Sequence, residues 1–273
     1  MEKNDPIWDI IVDEARQASA EEPLLESYFT SAILDQPGLD TALSFNLAQQ
    51  LDSAAVPAAK IAEVIQEALE ADKNIGQRIR RDIVAAFERD AACDRYLTPI
   101  LYFKGFQALQ LQRMSHWLWL QGRQVLALFF QNQISETFAV DIHPGAKLGS
   151  GIMIDHATGL VIGETAVVGD NVSILHSVTL GGSGCVGGRR HPKIGDGVMI
   201  SAGAKILGNI SIGEGVKVGA GSLVLEPVPA HVTVAGVPAK IVGKPREDSP
   251  ALEMDQRLDL SKEAKGENIE ADR

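Results

Sequence analysis

Aliphatic residues recur every six positions through the second half of the chain, at Ile194, Ile200, Ile206, Ile212, Val218 and Val224. Four residues after each stands a small or aliphatic partner: Val198, Ala204, Ile210, Val216, Ser222 and Val228. Glycine often follows the aliphatic residue, as in Ile194-Gly195, Ile212-Gly213 and Val218-Gly219. Upstream the same spacing holds in a second phase (Ile162, Val168, Ile174, Leu180) and in a third (Ile142, Leu148, Ile154). An α-helix repeats every ~3.6 residues and does not tolerate this much glycine, so the period excludes a helix. The spacing predicts a parallel β-solenoid. Each repeat is a short strand plus a corner, and three repeats complete a turn of about 18 residues. One aliphatic side chain per strand points inward and stacks on its neighbours in the coils above and below, while glycines supply corner conformations that a side chain forbids.

Before residue 139 the pattern is helical. Ile7, Ile10, Ile11 and Ala15 lie on one helix face, and Asp5 followed by Pro6 is a start signal, a capping carboxylate and then a proline suited to the first turn. Asp35-Gln36-Pro37-Gly38 is a breaker, and Ala58 to Ala71 is amphipathic, with Ile61, Val64, Ile65, Ala68 and Leu69 on one side. The stretch from Ile100 to Phe138, including His116-Trp117-Leu118-Trp119, carries most of the aromatics and reads as core or subunit contact, with His116 structural. Six to eight helices are expected in this half.

Composition sharpens the division. All the Trp, Tyr and Phe residues lie at or before Phe138, whereas of the 26 glycines only Gly38, Gly76, Gly105 and Gly122 do. A narrow coil of six-residue strands admits Ile, Leu, Val and Ala but not large rings. The expected fold is therefore α+β and multidomain: a helical domain over 1–138, a β-solenoid over 139–245, and a polar, acidic, mobile tail over 246–273. Charge follows the same boundaries. Net charge is −11 over the 273 residues, yet residues 139–245 hold 7 acids and 8 bases, so the middle alone does not repel an anionic ligand. The acidic balance argues against a nucleic-acid binder. No apolar run approaches the ~18 residues of a membrane span, and the opening residues are too polar for a secretory signal. Two cysteines, Cys93 and Cys185, make no disulfide scaffold, and a cytoplasmic location with free thiols is the expectation.

Chemistry is expected where the period breaks. Between Ile154 and Ile162 the step is eight rather than six and contains Asp155-His156-Ala157-Thr158-Gly159. Between Leu180 and Ile194 it is fourteen and contains a glycine-rich run ending Arg189-Arg190-His191-Pro192-Lys193. Either insertion suits ligand contact, and either also fits a tolerated loop with a solvated basic tip. His143, His156, His176 and His191 lack the close spacing of a zinc-binding pair, so no metal is expected.

Four segments carry a resemblance: Val140-Asp141-Ile142-His143-Pro144, Asp155-His156-Ala157-Thr158-Gly159, Ser177-Val178-Thr179-Leu180-Gly181-Gly182 and Arg190-His191-Pro192-Lys193-Ile194. Together they resemble the bacterial serine O-acetyltransferases, and Ala235-Gly236-Val237-Pro238-Ala239-Lys240-Ile241-Val242-Gly243 fits the wider hexapeptide acyltransferases. The likeness runs over about 5–245. It implies a left-handed β-helix and transfer of acetyl from acetyl-CoA to the hydroxyl of L-serine, by direct attack in a ternary complex without an acyl-enzyme. His156 is then the general base and Asp141 the carboxylate that orients it. Asp90 and Asp155 face the serine ammonium, Arg190 grips its carboxylate, and His191 is a second contact. Acetyl-CoA would lie along the solenoid near Gly182, Ala202, Gly203, Ala204 and Ala220, with Lys217, Lys240 or Lys244 meeting phosphates.

The resemblance also implies feedback inhibition by L-cysteine and a homotrimer or hexamer with active sites between neighbouring subunits. Tail docking into O-acetylserine sulfhydrylase needs a terminal isoleucine, and here Ile269 stands four residues from the end, which argues against that complex. Two other readings remain at this point. One is a hexapeptide acyltransferase acting on a sugar or antibiotic hydroxyl, and the other is a solenoid without catalysis.

Overall fold

The computed structural model of the chain describes residues 5–184 and 187–258. Among these, eight α-helices precede residue 139, with a 3-10 turn (Pro23–Leu25) and a π-helical turn (Thr30–Leu34) flanking the second: α1 (Pro6–Glu21), α2 (Glu26–Phe29), α3 (Leu39–Gln50), α4 (Ala58–Ala71), α5 (Lys73–Arg89), α6 (Leu97–Tyr102), α7 (Lys104–Leu120) and α8 (Gln124–Phe138). The start and break signals read from the sequence act as expected. Asp5 caps α1 by accepting from Trp8 N, and α3 opens directly after Gly38. Helix α4 has the predicted bounds and buries Ile61, Ile65, Ala68 and Leu69.

Helix α7 is the spine of this half. Every residue from Gly105 to Ser115 is buried, so it has no solvated face over that stretch, and each polar side chain there must find a partner. Gln107 donates to Ile100 O, Gln112 to Ala146 O and Ser115 to Ala127 O. Arg113 Nη2 lies 2.7 Å from Asp82 Oδ2 of α5, in an ion pair with both side chains almost fully buried. Gln110 also donates to Asp82, and the second Asp82 oxygen accepts from Ile152 N of the solenoid at 3.0 Å. One buried carboxylate thus ties α5, α7 and the first coil together.

The solenoid begins immediately after α8, where Ala139 turns through a left-handed conformation. Its strands are β1 (Val140–Ile142), β2 (Lys147–Leu148), β3 (Met153–Ile154), β4 (Leu160–Ile162), β5 (Val167–Val168), β6 (Ser173–Ile174), β7 (Thr179–Gly181), β8 (Lys193–Ile194), β9 (Met199–Ile200), β10 (Lys205–Leu207), β11 (Ser211–Ile212), β12 (Lys217–Val218), β13 (Leu223–Val224), β14 (Thr233–Gly236) and β15 (Ala239–Gly243). They form three sheets. Sheet I has the order β1-β4-β7-β10-β13, sheet II β2-β5-β8-β11, and sheet III β3-β6-β9-β12-β14, with β15 closing its end. All pairs are parallel except β14 with β15. Each aliphatic run read from the sequence passes through the three faces in turn, one strand at a time, and after each break in period the next run resumes on the following face. Ile142, Ile162, Leu180, Ile206 and Val224 share register in sheet I, and Ile154, Ile174, Ile200, Val218 and Val234 in sheet III. Leu148, Val168, Ile194 and Ile212 do so in sheet II. All are buried, each burial being worth about 1.5–3 kcal/mol.

The segment after Pro245, expected to be mobile, begins as packed chain. Helix α9 (Pro250–Glu253) lies on sheet III, Ala251 is fully buried, and Ser173 Oγ donates to Ala251 O at 2.8 Å. Leu175 and Met199 pack with Ala251, flanked by Ala202 and Met254. Lys217, expected among the phosphate contacts, is instead buried, and its ammonium donates to Arg257 O. Ile269 and the rest of 259–273 lie outside the described residues, as does Cys185. No helix of the described residues is long and apolar enough to cross a membrane.

Removing the tie at Asp82 leaves Arg113 as an uncompensated buried charge. Asp82→Ala is expected to lower unfolding free energy by about 3–5 kcal/mol in urea denaturation. A loss within ~0.5 kcal/mol, the size of a surface substitution, contradicts this account of how the helical half is fastened.

Candidate active site

Two edges of the prism carry the surplus residues. At the edge where sheet III passes into sheet I, each coil turns through a left-handed residue: Gly159, Ser177, Gly203 and Gly221. The first coil is two residues longer at this edge than the next. The surplus forms a turn in which His156 and Ala157 are both left-handed, with φ of 56° and 60°. Such a conformation costs a non-glycine residue about 1–2 kcal/mol. Backbone bonds hold the turn in place: Gly159 N donates to Ala139 O and Ser177 N to Thr158 O, both at 2.8 Å. The outcome is an imidazole pushed out of the solenoid, with 75% of the His156 side chain exposed. Its Nε2 stands 3.8 Å from Asp155 Oδ1, and its ring lies edge-to-face with that of His176, one coil on, at 5.8 Å.

The helical half closes over this turn from two sides. Gly105 of α7 sits so near β3 that a Cβ there would lie 2.1 Å from Ile154 O, so glycine alone permits the approach. Helix α5 ends at Arg89, which is buried and donates to Ser173 Oγ at 3.2 Å on the solenoid. The next residue is Asp90. The cavity left between the two halves is about 550 Å³ and is lined by Asp90, Tyr102, Phe103, Lys104, Asp155 and His156. Burial pushes the Asp155 carboxyl above the ordinary carboxylate value; His156 opposes that shift and the nearby Asp90 carboxylate adds to it. Two carboxylates sharing a partly buried cavity favour a cationic group between them.

The second edge lies where sheet I passes into sheet II, and it carries the long insertion. Arg190 and His191 fold back onto the coil below. Arg190 Nη2 meets Glu164 Oε2 at 2.6 Å, an arrangement that holds the Glu164 carboxyl below its ordinary value. His191 is buried, and its ring occupies space that a Cβ on Gly163 would take, 2.1 Å from its Nε2. Thr165 N donates to His191 Nδ1 at 3.1 Å, so Nδ1 is the acceptor and the neutral ring carries its proton on Nε2. Thr165 Oγ1 accepts from the backbone N–H of both Arg190 and His191. Beside them His143 packs against Trp119, and His116 bonds Pro144 O at 2.7 Å.

Asp90, Asp155 and His156 therefore meet, while Arg190 and His191 gather on the other edge. Asp141 lies between the two edges, on the outward side of β1. No bond among the described residues joins it to His156. Its Oδ1 accepts from Gln131 Nε2 at 2.6 Å, and the carboxylate beside His156 in one chain is Asp155. Of the residues expected along the coenzyme, Ala202, Gly203 and Ala220 continue the His156 edge into later coils, where Gly203 N donates to His176 O and Gly221 N to Ala202 O. Ala204 points into the core, fully buried, so its side chain is not available to a ligand. Gly182 belongs to the second edge, against Arg190 and His191. Sequence reasoning missed Glu164 and Thr165. They occupy an ordinary corner, Gly163-Glu164-Thr165-Ala166, with no break in period to mark them.

A β-prism of six-residue repeats with an exposed histidine at a lengthened corner is an architecture that suits the hexapeptide-repeat transferases, and the comparisons with known families agree. The family model "Serine acetyltransferase, N-terminal" matches residues 7–111, and that for the bacterial transferase hexapeptide (six repeats) matches 191–226. A serine acetyltransferase of Escherichia coli is 56% identical over 252 residues, 92% of each chain. The crystal structure of the Vibrio cholerae serine acetyltransferase superposes with a TM-score of 0.92 at 56% identity, covering 93% of this chain and 98% of that one. A Brucella abortus serine acetyltransferase in complex with coenzyme A is similar at 51% identity, TM-score 0.87, over 88% and 96% of the two chains. Another, in complex with cysteine, matches at 50% identity, TM-score 0.91, over 93% and 98%. The chain belongs to the serine acetyltransferase family.

Burial, with the Arg190 charge adding to it, lowers the His191 pKa below 6.5. A depressed histidine pKa favours the folded state above the ordinary value and loses that contribution as pH falls through it. NMR titration of nitrogen-labelled histidine should therefore place this ring below 6.5, and a ring titrating at or above that value contradicts the described tautomer and packing.

Proposed function

We propose that the protein transfers acetyl from acetyl-CoA to the hydroxyl of L-serine, giving O-acetyl-L-serine and CoA, with His156 as general base. The observation that carries this reading is the pair Asp90 and Asp155 beside an exposed imidazole in one cavity. The pair suits the substrate ammonium, and the imidazole suits its hydroxyl. Serine oxygen is a poor nucleophile at neutral pH, so its proton must leave as it attacks the thioester carbonyl. His156 takes that proton, the C–O bond forms, the C–S bond breaks, and the imidazolium returns the proton to the departing thiolate. Asp155 stabilises the imidazolium across their 3.8 Å gap.

The substrate carboxylate calls for a guanidinium, and Arg190 presents one already oriented by Glu164. His191, fixed by Thr165, is the second contact. These residues stand on the other edge of the prism, so the complete site joins the His156 edge of one copy to the Arg190 edge of the next in a cyclic homo-oligomer. Asp141, facing outward between the two edges, then orients the His156 of a neighbouring copy. Acetyl-CoA lies along Ala202, Gly203 and Ala220, with its thioester at His156, and exposed Lys240 and Lys244 are available to its phosphates. L-cysteine carries the same ammonium and carboxylate as serine, and it competes for that pocket as a feedback inhibitor.

Thiol release from acetyl-CoA with and without L-serine tests the reaction. His156→Ala should lower kcat by roughly 10²–10⁴-fold, the usual worth of a general base. Asp155→Asn should raise the KM for serine and also lower kcat, since it removes both the ammonium contact and the charge beside the imidazolium. Serine-independent release, or full activity in the His156 variant, would remove this reading.

A further inference from the structure

The turn that presents His156 is gripped by a residue from the helical half. Lys104 is the first residue of α7, and its ammonium donates to the hydroxyl of Thr158. Among the described residues that is the only bond of its side chain, and it crosses from the helical module to the lengthened corner. Thr158 in turn holds His156: its backbone N–H donates to His156 O at 2.7 Å, and its carbonyl accepts from Ser177 N on the next coil. Two consecutive left-handed residues stand just before it, a backbone that relaxes unless its surroundings fix it. Gly105, next to Lys104, packs against Ile154 O and Ala157, so the start of α7 contacts both ends of this turn.

We propose that Lys104 is a positioning residue for the acetyl transfer. Acting through Thr158, to which its ammonium is committed at the wall of the cavity, it keeps the left-handed turn that aims the His156 imidazole. The inference rests on His156 being the base. It also assigns the helical half a part in the chemical step, in addition to supplying Asp90.

Steady-state kinetics of Lys104→Met, Thr158→Val and the double variant test it, with thermal unfolding measured on each. Each single change should lower kcat about ten-fold while both KM values stay within about two-fold, since the loss falls on geometry at the transition state. The double variant should lose about the same ten-fold, because the Lys104–Thr158 bond is lost in both single variants and the other bond of the Thr158 hydroxyl, a 3.4 Å donation to His156 O, acts on the same turn. Lys104→Arg and Thr158→Ser, which keep a donor and a hydroxyl, should retain kcat within about three-fold. An unchanged kcat in either single variant overturns the proposal. So do losses that multiply to about 100-fold, which would mean that Lys104 acts on the reaction independently of Thr158. A rise in KM with kcat intact overturns it too, by making Lys104 a binding residue. If Lys104→Met does not fold, Thr158→Val against Thr158→Ser carries the decision, and equal kcat values overturn it. His156→Ala, assayed alongside, separates the two claims: its full activity removes the base assignment, whereas its loss beside an intact Lys104→Met removes only this one.

Discussion

Each coil of the prism must return the chain to the same register, because the inward aliphatic side chains stack one above another on every face. Ile154 sits on Ile174 and Ile174 on Ile200, and no slip of one residue is tolerated without turning the core side chain outward. Extra residues can therefore leave only at a corner and only outward. Both surplus segments obey this rule, and both carry the reactive side chains. The strained His156-Ala157 backbone and the folded-back Arg190-His191 pair are two products of one packing constraint.

A corner expelled from a solenoid is not rigid by itself, and the helical half supplies the bracing. Helix α7, about 25 Å long at 1.5 Å per residue, runs past both edges. Lys104 and Gly105 at its start meet the turn at 155–158, while His116 and Trp119 near its end meet Pro144 and His143. Between them the Asp82–Arg113 pair and Gln112 fasten the helix to the first coil. Such a pair is a poor source of net stability, since desolvation offsets most of the Coulomb attraction. Its consequence here is registration: it fixes where the end of α5, and with it Asp90, stands relative to Asp155.

Much of this was legible in the sequence, for physical reasons. A six-residue period has few causes, and the absence of rings after Phe138 follows from the narrow interior that period builds. The phase breaks marked the two segments that hold Asp155, His156, Arg190 and His191, because regular packing has no place for the surplus residues, while the resemblance singled out those four within them. Glu164 and Thr165 stayed hidden, since a corner that keeps its period gives no sign that its side chains reach a loop 26 residues away. Lys104 was hidden likewise, because a lysine at a helix start is ordinary until the turn it reaches is known. Ala204 shows the opposite error: small residues are needed inside every coil, so smallness alone does not mark a ligand lane. The ordered start of the C-terminal segment was also missed, because its polar composition concealed the few apolar residues, Ala251 and Met254, that pack on sheet III.

The two lengthened corners lie on different edges of one prism, each carrying half of what an amino-acid substrate requires, and the central claim is that the halves belong to different copies of the chain. Co-expression of His156→Ala with Arg190→Ala, followed by isolation of the mixed assembly through two tags, tests it most directly. Each variant alone should be close to inactive, and the mixed assembly should recover about a quarter to a third of wild-type activity, since a mixed ring of three has one junction in which an intact His156 edge meets an intact Arg190 edge. A mixed assembly no more active than its two parents would contradict the account.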